Sequence, residues 1–340
     1  MVKKKKLRIL AVFHHPGKSH FQVFKPLLEK LALRGHELTV VSHFPKNMNN
    51  TNIPFENYKD IDLLGPTWTE VIDLSEIDYS IFRAVNDAIV LRHWALRHCQ
   101  KALNVPGVQQ LIQSDSKFDL IITELFNSDC FLGFVHKFQA PFVALTSHEI
   151  VPWANERFGN PDNPSYIPNT LMTYKSKMTF IERTVNTFFL WFLKNYYHLF
   201  WQNDIDKIVK ETFGHDTPHL LEIAKKTSAM LINSHYSLFG ARPYNPNIIE
   251  IGGIHIRKVK ALPGDLKKFL DNASEGVIVF SWGSMIKSST LPEKKLKALF
   301  KVFSEIPRKV VWKWEGNEHP ELPKNVMIKK WIPQFDLLSE

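Results

Sequence analysis

Apolar residues run almost unbroken through LRILAVF at 7–13 and stop at Pro16 and Gly17. Phe21, Phe24, Leu27, Leu28 and Leu31 then recur at helical spacing, and Gly35 stands where a helix would be capped. HELTVVS at 36–42 is the next apolar run, so residues 7–42 predict a strand, a helix and a second strand. Such a unit implies parallel strands joined by a right-handed crossover. FDLIIT (118–123), PFVALT (141–146) and AMLINS (229–234) repeat the strand pattern, and a helical stretch at 76–103 precedes them. The alternation predicts an open, doubly wound α/β domain.

A loop rich in Pro, Asn and Gly, PWANERFGNPDNPSYIPN at 152–169, interrupts that alternation. Loops of this length tend to be functional or mobile. TFFLWFLKNYYHLFWQ at 187–202 is aromatic around most of a helix, but too short and, at Asn195 and His198, too polar to span a bilayer. We read it as a buried helix, with an interfacial helix at a membrane surface as the alternative. NIIEIGGIHI at 247–256 closes an N-terminal domain expected at 1–256, and polar 257–275 is expected as a linker with a short helix. GVIVFSWGS (276–284), a helix at 292–305, KVVWKW (309–314) and VMIKKW (326–331) begin a second α/β domain. Its 65 residues, 276–340, are few for an independent core.

Composition alters this picture little. The 25 Phe, 9 Trp and 8 Tyr suit a large core together with a pocket for a flat or greasy ligand. The net charge of +9 owes four of its charges to the single run Lys3, Lys4, Lys5, Lys6, read as a solvated tail. Basic patches interleaved with aromatics are absent elsewhere, so nucleic acid is not an expected partner. Two cysteines, Cys99 and Cys130, allow one disulfide and exclude a cysteine-based zinc site. Sequons at Asn49 and Asn272 point towards a secretory route, although no signal peptide is visible.

The chemistry concentrates in HHPGKSH at 14–20, where many α/β proteins place a glycine-rich phosphate loop. In an open parallel sheet, ligands bind beyond the carboxyl ends of the strands, and this loop lies there. Ser19 is expected as the helix N-cap, which makes His20 the first helical residue, facing the cleft. The positive end of the helix dipole favours the neutral imidazole that a general base requires. His14 and His15 leave the strand rather than open the helix and are weaker candidates. No carboxylate or cysteine spacing completes a metal site around them.

Six segments in order carry a wider likeness: GKSHFQVFKPLLEKLALRGHELTVVS, FDLIITELFNSDCFLGF, PWANERFGNPDNPSYIP, IEIGGIHI, GVIVFSWGSM and KWIPQFDLL. Together they resemble the UDP-glycosyltransferases, especially the animal, insect-like branch. The resemblance implies a GT-B fold, with an N-terminal acceptor domain and a C-terminal UDP-sugar domain, both Rossmann-like. It implies inverting transfer of a hexose to a hydroxyl of a small lipophilic acceptor, a detoxification-type conjugation, with His20 as the base. The family's orienting carboxylate maps to Thr123 or Glu124 according to gap placement. Asp129, the shorter acid beyond the strand end, is favoured here, with Glu124 as its rival. The donor site would use Ser281, Gly283 and Ser284 near the diphosphate, Trp331 stacked on uracil and Gln334 on the uridine. Trp153, Phe158 and Tyr166 are expected to wall the acceptor site.

The departures from the family pattern are as informative. The chain ends six residues after Gln334, without the family's His-Gly-Gly turn, sugar-reading acidic-Gln pair or C-terminal membrane helix. It therefore reads as truncated within the donor domain, with a non-catalytic acceptor-binding or partner-binding form as the alternative function. No cofactor is expected beyond the UDP-sugar co-substrate. A membrane surface and a second copy of the chain are further candidate partners, and the family implies the endoplasmic reticulum membrane.

Overall fold

The computed structural model describes residues 5–46, 56–64, 83–319 and 321–340. Its described residues form two compact units that part between His255 and Ile256. The N-terminal part of the helical stretch expected at 76–103 lies outside the described residues.

In the first unit β1 (Arg8–Val12), α1 (Lys18–Leu33) and β2 (Glu37–Ser42) form the expected strand–helix–strand unit. They are followed by β3 (Tyr58–Asp62), α2 (Arg83–Leu103), α3 (Pro106–Gln113), β4 (Leu120–Glu124), α4 (Gly133–Phe138) and β5 (Phe142–Thr146). After the long loop come α5 (Phe180–Tyr196), α6 (Gln202–Phe213), α7 (Leu220–Ala224), β6 (Ala229–Ile232), α8 (Tyr236–Phe239) and β7 (Ile248–Glu250). All seven strands are parallel, in the order β3-β2-β1-β4-β5-β6-β7. The unbroken apolar run of β1 has a simple cause, since both faces of the sheet are covered. Ile9, Ala11 and Phe13 pack with Phe21, Phe24 and Leu28 of α1, whereas Leu10 and Val12 join the core on the opposite face. β3 reads YKDID, polar and at the sheet edge, so no apolar pattern announces it.

β1 has β2 on one side and β4 on the other. The sheet order reverses there, and in open α/β sheets ligands bind beyond the carboxyl ends of the strands at such a point.

In the second unit α9 (Gly264–Asp271), β8 (Val277–Phe280), α10 (Glu293–Glu305), β9 (Lys309–Lys313), β10 (Val326–Lys329) and α11 (Gln334–Leu337) surround a parallel sheet ordered β10-β9-β8. Phe300, Phe303, Trp312 and Trp314 fill one cluster, and Leu266, Val311, Ile332 and Leu337 another. Residues 257–275 include a short helix, α9, and pack within the second unit. Leu266 of α9 is buried in the second cluster, and Arg257 holds Asp336 through two hydrogen bonds of 2.7 Å.

Two other expectations change. The loop at 152–169 is tightly bonded: Asn155 donates to Asp162 at 2.7 Å, Asn160 to Asn155 at 3.0 Å, and Asn186 to the carbonyls of Pro164 and Ile167. The aromatic helix is buried on one side only. Leu193, Tyr197 and Trp201 are in the core, while Phe188, Trp191, Leu199 and Phe200 are exposed.

Candidate active site

Gly17, in extended conformation, is the N-cap of α1, and the helix starts at Lys18. Ser19 lies inside the helix, and His20 is its third residue rather than its first. A side chain at position 17 would not fit: a Cβ there would lie 2.7 Å from the His15 ring and 3.2 Å from that of His20. Glycine is what lets the two imidazoles pack, with ring centres 4.4 Å apart.

Glu124 is the last residue of β4, beside β1 in the sheet, and its side chain is almost wholly buried. Its Oε1 lies 2.6 Å from His20 Nδ1. A carboxylate in that position accepts the Nδ1–H bond, which leaves the His20 Nε2 lone pair free to take a proton. The remaining wall comes from the residues after β4 and β5. The Phe126 ring centre is 4.8 Å from His20 and 5.0 Å from His148, and His148 is 5.9 Å from His20. Burial, with the nearby His20 adding to it, pushes the His148 imidazole down to about 4. Burial likewise takes His14 down to about 4 and His15 well below its ordinary value. These three rings are neutral at neutral pH. His14 and His15 are core imidazoles at 1% and 4% exposure, whereas the His20 side chain keeps 17%.

Asp129 does not face His20. Its two oxygens accept from Arg157 Nη1 and Nη2 at 2.7 and 2.6 Å, and Oδ2 also accepts from Tyr197 O–H at 2.7 Å and Gln202 Nε2 at 2.6 Å. Burial alone would push this carboxyl up, but the Arg157 charge and these bonds hold it below the usual carboxylate range. The expectation that favoured Asp129 as the orienting acid is corrected: its carboxylate is fully engaged by residues from the long loop and the helices after it. The neighbouring Cys130 is disulfide-bonded to Cys99 of α2, with a Cα–Cα distance of 5.7 Å.

The expected acceptor wall is also redrawn. Trp153 and Phe158 are buried in the core, with Trp153 stacked on Tyr197 at 4.7 Å, while Tyr166 is exposed. Both buried rings present almost no surface to solvent. Trp153 instead donates its indole N–H to the Phe126 carbonyl at 3.2 Å, so it supports the ring that flanks His20. Phe126 and His148 went unnoticed in the sequence. Their one signal was position, just beyond the ends of two predicted strands.

In the second unit Ser281, Gly283 and Ser284 form a turn after β8, with Gly283 N–H donating to Ser281 Oγ at 3.2 Å. Gly283 has φ of 79°, a conformation that favours glycine. The turn does not open a long helix directly. It runs to buried Ser288, fixed by the Lys313 carbonyl and the Trp312 indole, and α10 starts only at Glu293. Trp331 is exposed, and Gln334 opens the four-residue α11. Among the described residues no group of three or more His, Cys, Asp or Glu side chains is arranged to hold a metal ion.

Comparison with known proteins gives this arrangement its context. The family model described as "UDP-glucoronosyl and UDP-glucosyl transferase" matches residues 10–340. UDP-glucosyltransferase 2 of Dactylopius coccus is 37% identical over 334 residues, covering 97% of this chain and 63% of that protein. UDP-glucuronosyltransferase 2B15 of Rattus norvegicus is 30% identical over 339 residues, covering 94% of this chain and 63% of that protein. The chain thus spans less than two thirds of the length of these curated relatives. A solved Arabidopsis thaliana protein, UGT89C1 complexed with UDP-L-rhamnose, superposes with a TM-score of 0.54 at 16% identity over 98% of this chain and 72% of that one. A UDP-glucose: anthocyanidin 3-O-glucosyltransferase in complex with UDP gives 0.53 at 14% identity, over 98% and 74%. These two share the fold, α/β with Rossmann-like units of the GT-B type. The match over almost the whole length makes this chain a member of the UDP-glycosyltransferase family.

Proposed function

We propose that the protein carrying this chain transfers a hexose from a UDP-sugar to a hydroxyl of a small lipophilic acceptor, with inversion, using His20 as general base. The observation that carries this reading is the 2.6 Å contact of His20 Nδ1 with buried Glu124 at the sheet's switch point. The acceptor O–H proton passes to His20 Nε2 as the oxygen bonds to the anomeric carbon. The bond from that carbon to the phosphate oxygen breaks, and UDP departs. Glu124 holds the imidazole in the required tautomer and offsets the positive charge that it gains. Phe126 gives the site an apolar wall, which supports a lipophilic acceptor. Ser281, Gly283, Ser284, Trp331 and Gln334 are proposed for the donor, on the strength of the family motif. The buried Cys99–Cys130 disulfide supports folding in an oxidising compartment.

The test is transfer from UDP-glucose or UDP-glucuronic acid to a lipophilic phenol. His20→Ala is expected to lower kcat by about 10²–10⁴ while leaving acceptor affinity nearly unchanged. Undiminished turnover in that variant would sink the assignment.

A further inference from the structure

Three segments of the chain read Asn-x-Ser or Asn-x-Thr: Asn49-Asn50-Thr51, Asn163-Pro164-Ser165 and Asn272-Ala273-Ser274. Proline in the middle disqualifies the second as an acceptor of an N-linked glycan, and the first lies outside the described residues. The third stands in the second unit, where its surroundings suit a bulky addition.

Asn272 is the C-cap of α9, and the residues after it turn towards β8, with the Gly276 N–H donating to the Ala273 carbonyl at 3.1 Å. Asp271, Asn272, Ser274 and Glu275 are all exposed. The Asn272 side chain caps the helix end, since its Nδ2 donates to the Lys268 carbonyl at 2.9 Å. A primary amide carries two N–H groups, and attachment of a sugar consumes one of them. The other can keep the bond to Lys268, so the helix end survives the modification.

The direction of the attachment matters as much as its exposure. Asn272 precedes β8 and so lies off the amino end of that strand, whereas the turn at 281–284 follows its carboxyl end. Four residues of strand, about 13 Å, separate the two ends. Ligands of open α/β sheets approach the carboxyl ends, and a glycan at Asn272 leaves that side clear. The buried Cys99–Cys130 disulfide is independent of the sequon and calls for the oxidising compartment in which such glycans are added.

We infer that Asn272 carries an N-linked glycan. Its Nδ2 bonds to the anomeric carbon of an oligosaccharide delivered on a lipid diphosphate by the secretory pathway's own transferase. The bond from that carbon to the diphosphate oxygen breaks, the amide gives up one proton, and the lipid diphosphate departs. The inference needs no sugar transfer by this chain, so it stands or falls apart from the proposed chemistry.

Production of the full chain in cultured insect cells, behind a cleavable secretory leader, tests it. Asn49→Gln is included to silence the first sequon. In the disulfide-bonded protein, a peptide N-glycosidase is expected to lower the apparent mass and to leave aspartate at position 272 in the peptide map. Asn272→Gln abolishes that shift. So does Ser274→Ala, which keeps the asparagine and its bond to Lys268 and therefore still reads out if the first variant misfolds. Unmodified Asn272 in disulfide-bonded protein overturns the inference, as does a shift that persists in Ser274→Ala. Recovery of the chain only with Cys99 and Cys130 reduced equally overturns it, because the compartment would then be the wrong one.

Discussion

Glu124 and Asp129 stand five residues apart, both buried, and their surroundings give them different work. Glu124 shows one oxygen to an imidazole that keeps some contact with solvent. Asp129 is saturated by an arginine, a tyrosine and a glutamine, all buried. Asp129→Asn would leave the Arg157 charge without its partner, and the expected cost is about 3–5 kcal/mol of stability. Urea unfolding at neutral pH checks this, and a variant as stable as the parent contradicts it. Gly17→Ala would press a methyl into the rings of His15 and His20, so we expect kcat to fall roughly ten- to a hundredfold with the fold retained. Parent-level turnover would show that the rings can move aside without consequence. The place of His20 was legible in the sequence, because local spacing put it just after a strand and near a helix start, while the role proposed for it came from the family resemblance. The choice between two acids was not, because it depends on Arg157, Tyr197 and Gln202, which are 28, 68 and 73 residues from Asp129.

At the scale of elements, β1, α1 and β2 were readable because burial on both sheet faces and an amphipathic helix leave periodic traces. β3 and the inner side of the long loop left none: one is polar at an edge, and the other is held by asparagine hydrogen bonds rather than apolar periodicity. For α5 the sequence left a buried and an interfacial helix both open, since an aromatic helix looks alike in sequence whether or not anything covers it. The turn bearing Asp129 is also tied to α2 by the Cys99–Cys130 disulfide, which spans 31 residues. In the chain-entropy account a loop of that size contributes about 3–4 kcal/mol. Reduction, or Cys99→Ser with Cys130→Ser, is therefore expected to lower the urea midpoint clearly. An unchanged midpoint would mean that packing alone holds α2 against this turn.

On the scale of the whole molecule, the first unit hides several imidazoles from water, and this links its stability to pH. His14 and His148 titrate near 4 in the folded chain against an ordinary 6.5, because burial disfavours their charged form. Between those values the unfolded chain binds the extra protons, so stability is complete above the upper value and is lost as pH falls towards the lower. The expected slope is about 1.4 kcal/mol per pH unit for each histidine. Urea midpoints at about pH 7 and about pH 5 should differ accordingly, by less in His148→Gln, and a flat profile would contradict the burial of these rings. The fold places the His20–Glu124 contact where the strand order reverses, which is why the central claim rests on that pair. Its most direct test is acceptor turnover by Glu124→Gln beside Asp129→Asn, each corrected for the folded fraction. The account predicts that Glu124→Gln loses about 10²–10⁴ in kcat with acceptor affinity little changed, while folded Asp129→Asn stays within about tenfold of the parent. Full activity in Glu124→Gln, or an equal loss in folded Asp129→Asn, would contradict it.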